Sequence, residues 1–292
     1  MLLLKKQKWW GWFFVSPFII GLLLMYLIPV VFSIVVSFFE YDMISMGDFV
    51  GLENFKNVFT HPELFTAFRN TFVYALMYLP LEIFLSCVLG VALNQKFKSI
   101  AFFRILYYLP VIAPMVAVSM IWMGLYNPYG GVFNWLFSLI GLGPFEYVFS
   151  SNWLVVIICI AALTIWKGIG HQALLILSAL QGISDDIYEA ADIDGAGPVR
   201  KFFKITMPLL SPTLFYIIMM GVINVMNVFE IFKIMASESS AELNTIATLV
   251  YEQAFTKTNV SQAAAIGWLS FFVVGVLTLL QKAGEKRWVH YE

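Results

Sequence analysis

Charged residues are scarce in this chain: Asp, Glu, Lys and Arg make up 12% of 292 residues, with three histidines and two cysteines. Cys87 and Cys159 both fall inside apolar runs. They are too few for a disulfide framework and read as packing residues. His61, His171 and His290 form no metal-ligand spacing, so no metal site is assigned. No Ser/Gly-rich linker, charge block or short repeat divides the sequence, and no polar stretch is long enough for a catalytic domain. A G-x-x-x-x-G-K-[ST] phosphate loop is missing. So is any paired acid and base, or nucleophile with its partner, in consistent helical geometry. No catalytic residue is assigned, and the chain does not read as an enzyme. Its net charge of −1 is a cancellation that gives no reason to expect nucleic acid as a partner.

What is abundant is apolar surface: 61% of residues are hydrophobic and 17% aromatic, with mean hydropathy +0.84. Such a composition lies outside the soluble globular range and indicates a polytopic membrane protein. Crossing a hydrocarbon core takes about 20 apolar residues. Runs of that order occur near Trp12 to Phe39, Thr71 to Leu93, Phe102 to Tyr126, Trp153 to Leu180, Leu209 to Met235 and Ala263 to Leu280. We therefore expect an all-α, single-domain protein over residues 1–292 with six transmembrane helices. The first is read as retained, because its apolar run exceeds a signal-peptide core and lacks a small-residue cleavage pattern.

Charge placement orients the helices, since short cytoplasmic loops collect Lys and Arg. Lys5, Lys6 and Lys8 precede the first helix. Lys96, Lys98 and Arg104 follow the second, Arg200, Lys201 and Lys204 the fourth, and Lys282, Lys286 and Arg287 the sixth. The opposite loops hold only Lys56, Arg69 and Lys257, against Glu40, Asp42, Asp48, Glu53, Glu63, Glu146, Glu238, Glu242 and Glu252. Both termini are expected in the cytoplasm. The longest outward segments, Glu40 to Asn70 and Asn127 to Asn152, combine turn chemistry with aromatic residues and suit interfacial helices and short loops.

Between the fourth and fifth helices, residues 183–208 form a polar island on the cytoplasmic side. Ser184 is a good N-cap, and Asp185 and Asp186 sit where the helix macrodipole favours negative charge, predicting a short helix from Asp185 to about Ile193. Gly195 can take the left-handed conformation that ends it. Pro198 suits the first turn of a second short helix carrying Arg200, Lys201, Phe202, Phe203, Lys204 and Ile205. Two short helices joined by a sharp elbow are expected. Ala190, Ala191 and Ala196 would keep the elbow thin enough to enter a groove, while Glu189 and Asp194 offer carboxylates to basic groups.

The order Glu189-Ala190-Ala191, three residues, Gly195, nine residues, Ile205, one residue, Met207, Pro208 resembles the loop by which membrane subunits of ATP-driven (ABC-type) importers dock on their ATPases. The family usually has Leu where Met207 stands, and Met fills an apolar slot equally well. Trp166-Lys167-Gly168 and Leu180-Gln181-Gly182-Ile183 resemble the carbohydrate-uptake branch of that family, and the likeness covers nearly the whole chain. The resemblance implies a type I importer permease fold in the cytoplasmic membrane. It also implies a second homologous permease subunit as heterodimer partner, two ATP-binding subunits that hold ATP and Mg, and an extracellular or periplasmic sugar-binding protein. No cofactor is expected in this chain. Coupling would run through Glu189, Ala190, Ala191, Asp194, Gly195, Ala196 and Pro208.

Within the membrane, ionisable groups normally face a cavity or a partner. Thr164, Lys167, Gly168 and His171 are spaced i, i+3, i+4 and i+7, on one helical face. The same positions match sugar-contacting ones in the resembling maltose transporter. For Lys167 and His171 the alternative is structural: pairing with Glu230, or a helix end. Asn224, Asn227 and Glu230 form a second stripe, with Phe229 beside it. Asn supplies both donor and acceptor for sugar hydroxyls, and aromatics stack on sugar rings; interhelical hydrogen bonding is the alternative. Glu82 reads as a buried pairing group rather than a substrate contact. Imported di- or oligosaccharide is the expected substrate. An anionic solute such as glycerol phosphate, suggested by Lys167 and His171, is the alternative within the class, and an ion-coupled secondary transporter the alternative outside it.

Overall fold

The computed structural model describes residues 2–95, 98–236 and 243–290; Lys96, Glu238 and Glu242 of the charge map lie outside these, as do the side chains of Lys5, Lys6 and Lys8. The helices are α1 (Leu2–Leu22), α2 (Ile28–Val36), α3 (Glu53–Thr60), α4 (Pro62–Leu93), α5 (Ile100–Ile112), α6 (Met115–Leu125) and α7 (Val132–Ser138). They continue with α8 (Trp153–Gly182), α9 (Asp185–Ile193), α10 (Pro198–Lys201), α11 (Met207–Met226), α12 (Glu230–Met235), α13 (Ile246–Tyr251) and α14 (Val260–Trp288). Five spans are long and apolar enough to cross a membrane: Trp9–Val36, Pro62–Leu93, Trp153–Gly182, Pro198–Met226 and Val260–Trp288. The pair α5–α6, bent by 99°, gives a sixth when it is counted as one broken span.

Two of the expected spans are altered for identifiable reasons. In the third, Pro114 cannot donate to the helix ladder and pushes Ala113 into extended geometry (φ −71°, ψ 138°), so α5 ends and α6 restarts at a new angle. The fifth begins early, because α10 runs through a π-helical turn (Phe202–Thr206) directly into α11. A separate second short helix, expected from Pro198, is therefore not formed. The same span ends early at Met226, where Asn227 caps the last turn and its Nδ2 donates to the Ile223 carbonyl at 2.9 Å.

Contacts divide the chain into two units. One comprises Met1–His61 and Leu249–Leu269. Here a small antiparallel hairpin, β1 (Phe39–Tyr41) with β2 (Met46–Phe49), follows the first span where only helices and loops were expected. The Asp42 carboxylate closes its turn, accepting from the backbone N–H of Ser45 (2.8 Å) and Ile44 (3.0 Å), which holds its pKa below the ordinary carboxylate value. Asn54 ties α3 back by donating to the Ser37 and Phe39 carbonyls, both at 3.0 Å.

The second unit, Pro62–Thr248 with Ser270–Glu292, is built around α4 and α8. The two helices run side by side in one direction: Tyr74 Oη donates to Thr164 Oγ1 at 3.1 Å, Glu82 lies against Gly168, and Gly90 lies against Ala173 and Ile176. Lipid tails offer no hydrophobic force between helices, so close approach at small residues matters more than in water. At Gly170 an added Cβ would stand 2.0 Å from the Tyr107 carbonyl oxygen, so only glycine lets α5 seat against α8. Tyr74, Ile157, Ile160, Leu163, Ile231 and Phe232 fill the core beside this contact.

Candidate functional site

A cavity of about 500 Å³ opens within the second unit, walled by α4, α8, the α5–α6 break and the α11–α12 junction. The four residues predicted on one face of α8 all line it: Thr164, Lys167, Gly168 and His171. Thr164 is largely spent structurally, since its Oγ1 donates to the Ile160 carbonyl at 2.8 Å and accepts from Tyr74. Lys167 Nζ reaches across to the Val111 carbonyl at 3.0 Å, just before the break that Pro114 imposes. A broken helix leaves carbonyls without intrahelical partners, and a charged donor supplies one. Lys167 thus holds a helix end and faces the cavity at the same time, so the two readings of it are compatible.

The second stripe divides. Because α11 stops at Met226, Asn224, Asn227 and Glu230 do not sit on one continuous helix. Asn227 and Glu230 line the cavity together with Val228 and Phe229, whereas Asn224 remains exposed on α11 and outside the lining. Glu230 opens α12, where a carboxylate complements the helix dipole, and interacts electrostatically with Lys167. Asn227 uses one amide hydrogen to cap α11 and turns the chain into the cavity wall.

Sequence reasoning passed over Tyr78 and Gln172 and did not assign Glu82 to the cavity, yet all three line it. Glu82 is 1% exposed on α4 and lines the cavity together with Tyr78. Its Oε1 has no hydrogen-bond partner among the described residues, and neither has Oε1 of Gln172, which also lines the cavity. Glu82, expected as a buried pairing group rather than a substrate contact, is buried and also lines the cavity. The available signal was its spacing: Tyr78 and Glu82 are i, i+4 on α4, one face, opposite the Gly168 that leaves them room. A Cβ at Gly168 would come within 2.5 Å of Glu82 Oε1.

The elbow forms as its sequence dictates at each end. Ser184 caps α9, its Oγ accepting from Asp186 N–H at 3.3 Å, and Gly195 takes φ +73°. Ala196 N–H then closes back on the Ala191 carbonyl at 2.9 Å, the hydrogen-bond pattern that follows a left-handed cap. Lys201 pairs with Asp192, and Tyr188 Oη shares a 3.0 Å hydrogen bond with Thr206 Oγ1, fastening α9 to the start of the next span. Glu189, Ala190, Asp194 and Gly195 are exposed, Ala196 is half-buried, and Ala191 is buried. Ala191 therefore faces inward and seats α9 rather than thinning its outer surface. Pro208 occupies the first turn of α11, beyond the exposed elbow. Ile193, 88% exposed at the tip, is an apolar group that the sequence reading did not single out.

The second unit thus combines apolar helices long enough to cross a membrane with a polar-lined cavity and a capped polar elbow. The chain belongs to the family of binding-protein-dependent transport system inner membrane components, whose model matches residues 82–289. It is 33% identical to the probable ABC transporter permease protein YesP of Bacillus subtilis, over 99% of this chain and 94% of that protein. It is 30% identical to the arabinooligosaccharides transport system permease protein AraP of Halalkalibacterium halodurans, over 95% of this chain and 88% of the other. It is also 28% identical to the sn-glycerol-3-phosphate transport system permease protein UgpA of Pectobacterium atrosepticum, over 84% and 83%. The fold matches a chain of a bacterial alginate ABC transporter solved in complex with an alginate pentasaccharide-bound periplasmic protein (TM-score 0.83, 21% identity, 97% of this chain and 96% of that one).

Proposed function

We propose that this chain is the permease subunit of an ATP-driven importer that carries a di- or oligosaccharide, delivered by an external binding protein, across the cytoplasmic membrane. The observation that carries the sugar reading is the cavity: amide, ammonium, imidazole and carboxylate groups converge there with the aromatic walls Tyr78 and Phe229. A sugar needs donors and acceptors for its hydroxyls and apolar faces for its ring. Lys167, His171, Asn227, Glu230 and Glu82 are the groups assigned to solute, with Thr164 and Gly168 shaping the wall. AraP among the relatives is named for a sugar substrate and supports the same reading.

On this reading both termini and the elbow lie in the cytoplasm, the side on which short loops collect Lys and Arg. Two separate ATP-binding subunits, holding ATP and Mg, would receive Glu189, Ala190, Ile193, Asp194 and Gly195, and a second, homologous six-helix permease would complete the path. Closure of the ATPases on ATP pushes α9; the Tyr188–Thr206 and Lys201–Asp192 contacts pass that displacement to the fifth span, whose far end carries Asn227 into the cavity wall. The reading is tested by purification from native membranes followed by uptake in proteoliposomes. Recovery with an ATPase and a second permease, and sugar uptake that requires ATP, is the expected result. A stable homo-oligomer whose uptake follows an ion gradient would replace it with a secondary transporter.

A further inference from the structure

We infer that Thr245 is a positioning residue for the α11–α12 side of the cavity, which it sets against α4 through a short strap formed by Asn244, Thr245 and Ile246. The inference rests on the reading that this cavity takes the transported solute, and it deepens that reading by naming the residue that fixes one wall relative to another.

The break between α11 and α12 creates the need. Asn227, Val228, Phe229 and Glu230 line the cavity where the backbone has left one helix and only begun the next. The Phe229 carbonyl enters the ladder of α12, accepting from Lys233 N–H at 2.9 Å. The Val228 carbonyl stands just before it, and an acceptor at that place takes its donor from elsewhere. Thr245, 0% exposed, supplies it: its Oγ1 donates to the Val228 carbonyl at 2.9 Å. The same oxygen accepts from Thr248 N–H at 3.3 Å, while Thr248 Oγ1 accepts from Thr245 N–H at 2.6 Å, a reciprocal cap at the start of α13. One buried hydroxyl therefore serves two helix ends.

The strap is held in turn by α4. Asn70 Nδ2 donates to the Asn244 carbonyl at 3.0 Å, and Thr71 Oγ1 accepts from Ile246 N–H at 3.2 Å, both from buried side chains. Farther along the same helix, Tyr78 and Glu82 line the cavity. Two of its walls are thus joined through three consecutive residues, by hydrogen bonds that end on main-chain groups and so fix the backbone itself. Lys167 does the same for the α5–α6 break through the Val111 carbonyl. Asn227 and Glu230 then face the solute from a wall whose place Thr245 sets, without Thr245 itself lining the cavity.

The hold on this wall can be read without knowing the substrate, by hydrogen exchange of the assembled transporter. In Thr245→Val the amides of residues 228–231 should exchange about tenfold faster than in the unsubstituted protein, with α8 unchanged. Thr245→Ser keeps the donor and should keep the slow rate. Thr248→Val breaks the cap but leaves the tie to Val228, and should speed exchange only in α13. Thr71→Val, which frees Ile246 from α4 with Thr245 intact, should also speed exchange at 228–231 and covers the case in which Thr245→Val fails to fold. In proteoliposomes given a labelled mixture of neutral di- and trisaccharides, Thr245→Val should need about tenfold more sugar for half-maximal uptake, at a maximal rate unchanged within about twofold. Unaltered exchange at 228–231 in Thr245→Val, equal acceleration there in Thr245→Ser or Thr248→Val, acceleration that extends over α8, or unchanged uptake kinetics in Thr245→Val would each overturn the proposal. Absence of uptake by the unsubstituted transporter, or uptake without ATP dependence, would instead overturn the transport reading, and the exchange pattern would still decide on Thr245.

Discussion

The elbow and the cavity obey different rules. In the elbow, every structural decision is local: Ser184 starts α9, Gly195 ends it, Pro198 begins the next turn, and all three lie within 15 residues of one another. In the cavity, the decisive contacts join residues far apart in sequence: Lys167 with Val111, Tyr74 with Thr164, Glu82 with Gly168. The elbow also leaves its working groups exposed, whereas the cavity keeps Glu82 buried. On the proposed reading, the surface that enters a partner is built by capping and turn chemistry, and the site that holds a solute is built by packing. The elbow should therefore fail by losing its shape without loss of the bundle, and the cavity should fail together with helix packing.

The largest effect is expected from Gly195→Arg. A left-handed backbone costs a non-glycine residue about 1 to 2 kcal/mol, and the long side chain occupies the exposed tip. ATP-dependent uptake should be abolished while the helices stay inserted and the thermal unfolding midpoint of the membrane core is unchanged. Uptake at the normal rate would break the distinction between the two regions. Gly168→Leu is the converse case. Its side chain must displace Glu82 Oε1, an overpacking that costs roughly 1 to 3 kcal/mol. Both uptake and the unfolding midpoint in nanodiscs should fall.

Lys167→Met keeps the stem but removes the donor to Val111, leaving a carbonyl unsatisfied at the α5–α6 break for about 1 to 3 kcal/mol. Lower stability and lower uptake are expected together; unchanged stability would show that the break does not depend on Lys167. Ser184→Ala should loosen only the start of α9, by about 1 kcal/mol, seen as faster hydrogen exchange at residues 185–188. The smallest contrast is between neighbours on one span. Asn227→Ala should impair uptake, while Asn224→Ala should stay within about 0.5 kcal/mol in stability and leave uptake kinetics unaltered. Equal effects at the two positions would remove the α11 break from the account.

The uneven legibility of the sequence follows from the same contrast. Local signals predicted α9 to the residue, because an N-cap, two first-turn acids and a left-handed glycine act within one short segment. Periodicity found the α8 face, since Thr164, Lys167, Gly168 and His171 lie on one unbroken helix. It misjudged Asn224, because helical spacing assumes a continuous helix and α11 ends two residues later. Glu82 was readable as a charge in an apolar run on one face with Tyr78; that Gly168 faces it depends on how α4 registers against α8, which no local pattern encodes. The β1–β2 hairpin was missed because its strands are three and four residues long, too short to show alternation. Ala191 was assigned outward from its small size, although a small residue serves equally to seat a helix closely against its support.

The central claim, that the exposed elbow is the point where an ATPase acts on this membrane bundle, is tested most directly by photo-crosslinking in native membranes. A photoreactive residue would replace Ile193 at the elbow tip, with the same residue at Asn227 for comparison. The account requires an adduct between position 193 and an ATP-hydrolysing subunit, altered by ATP, and no such adduct from position 227. An adduct of position 193 only with another copy of this chain, or with lipid alone, would contradict it.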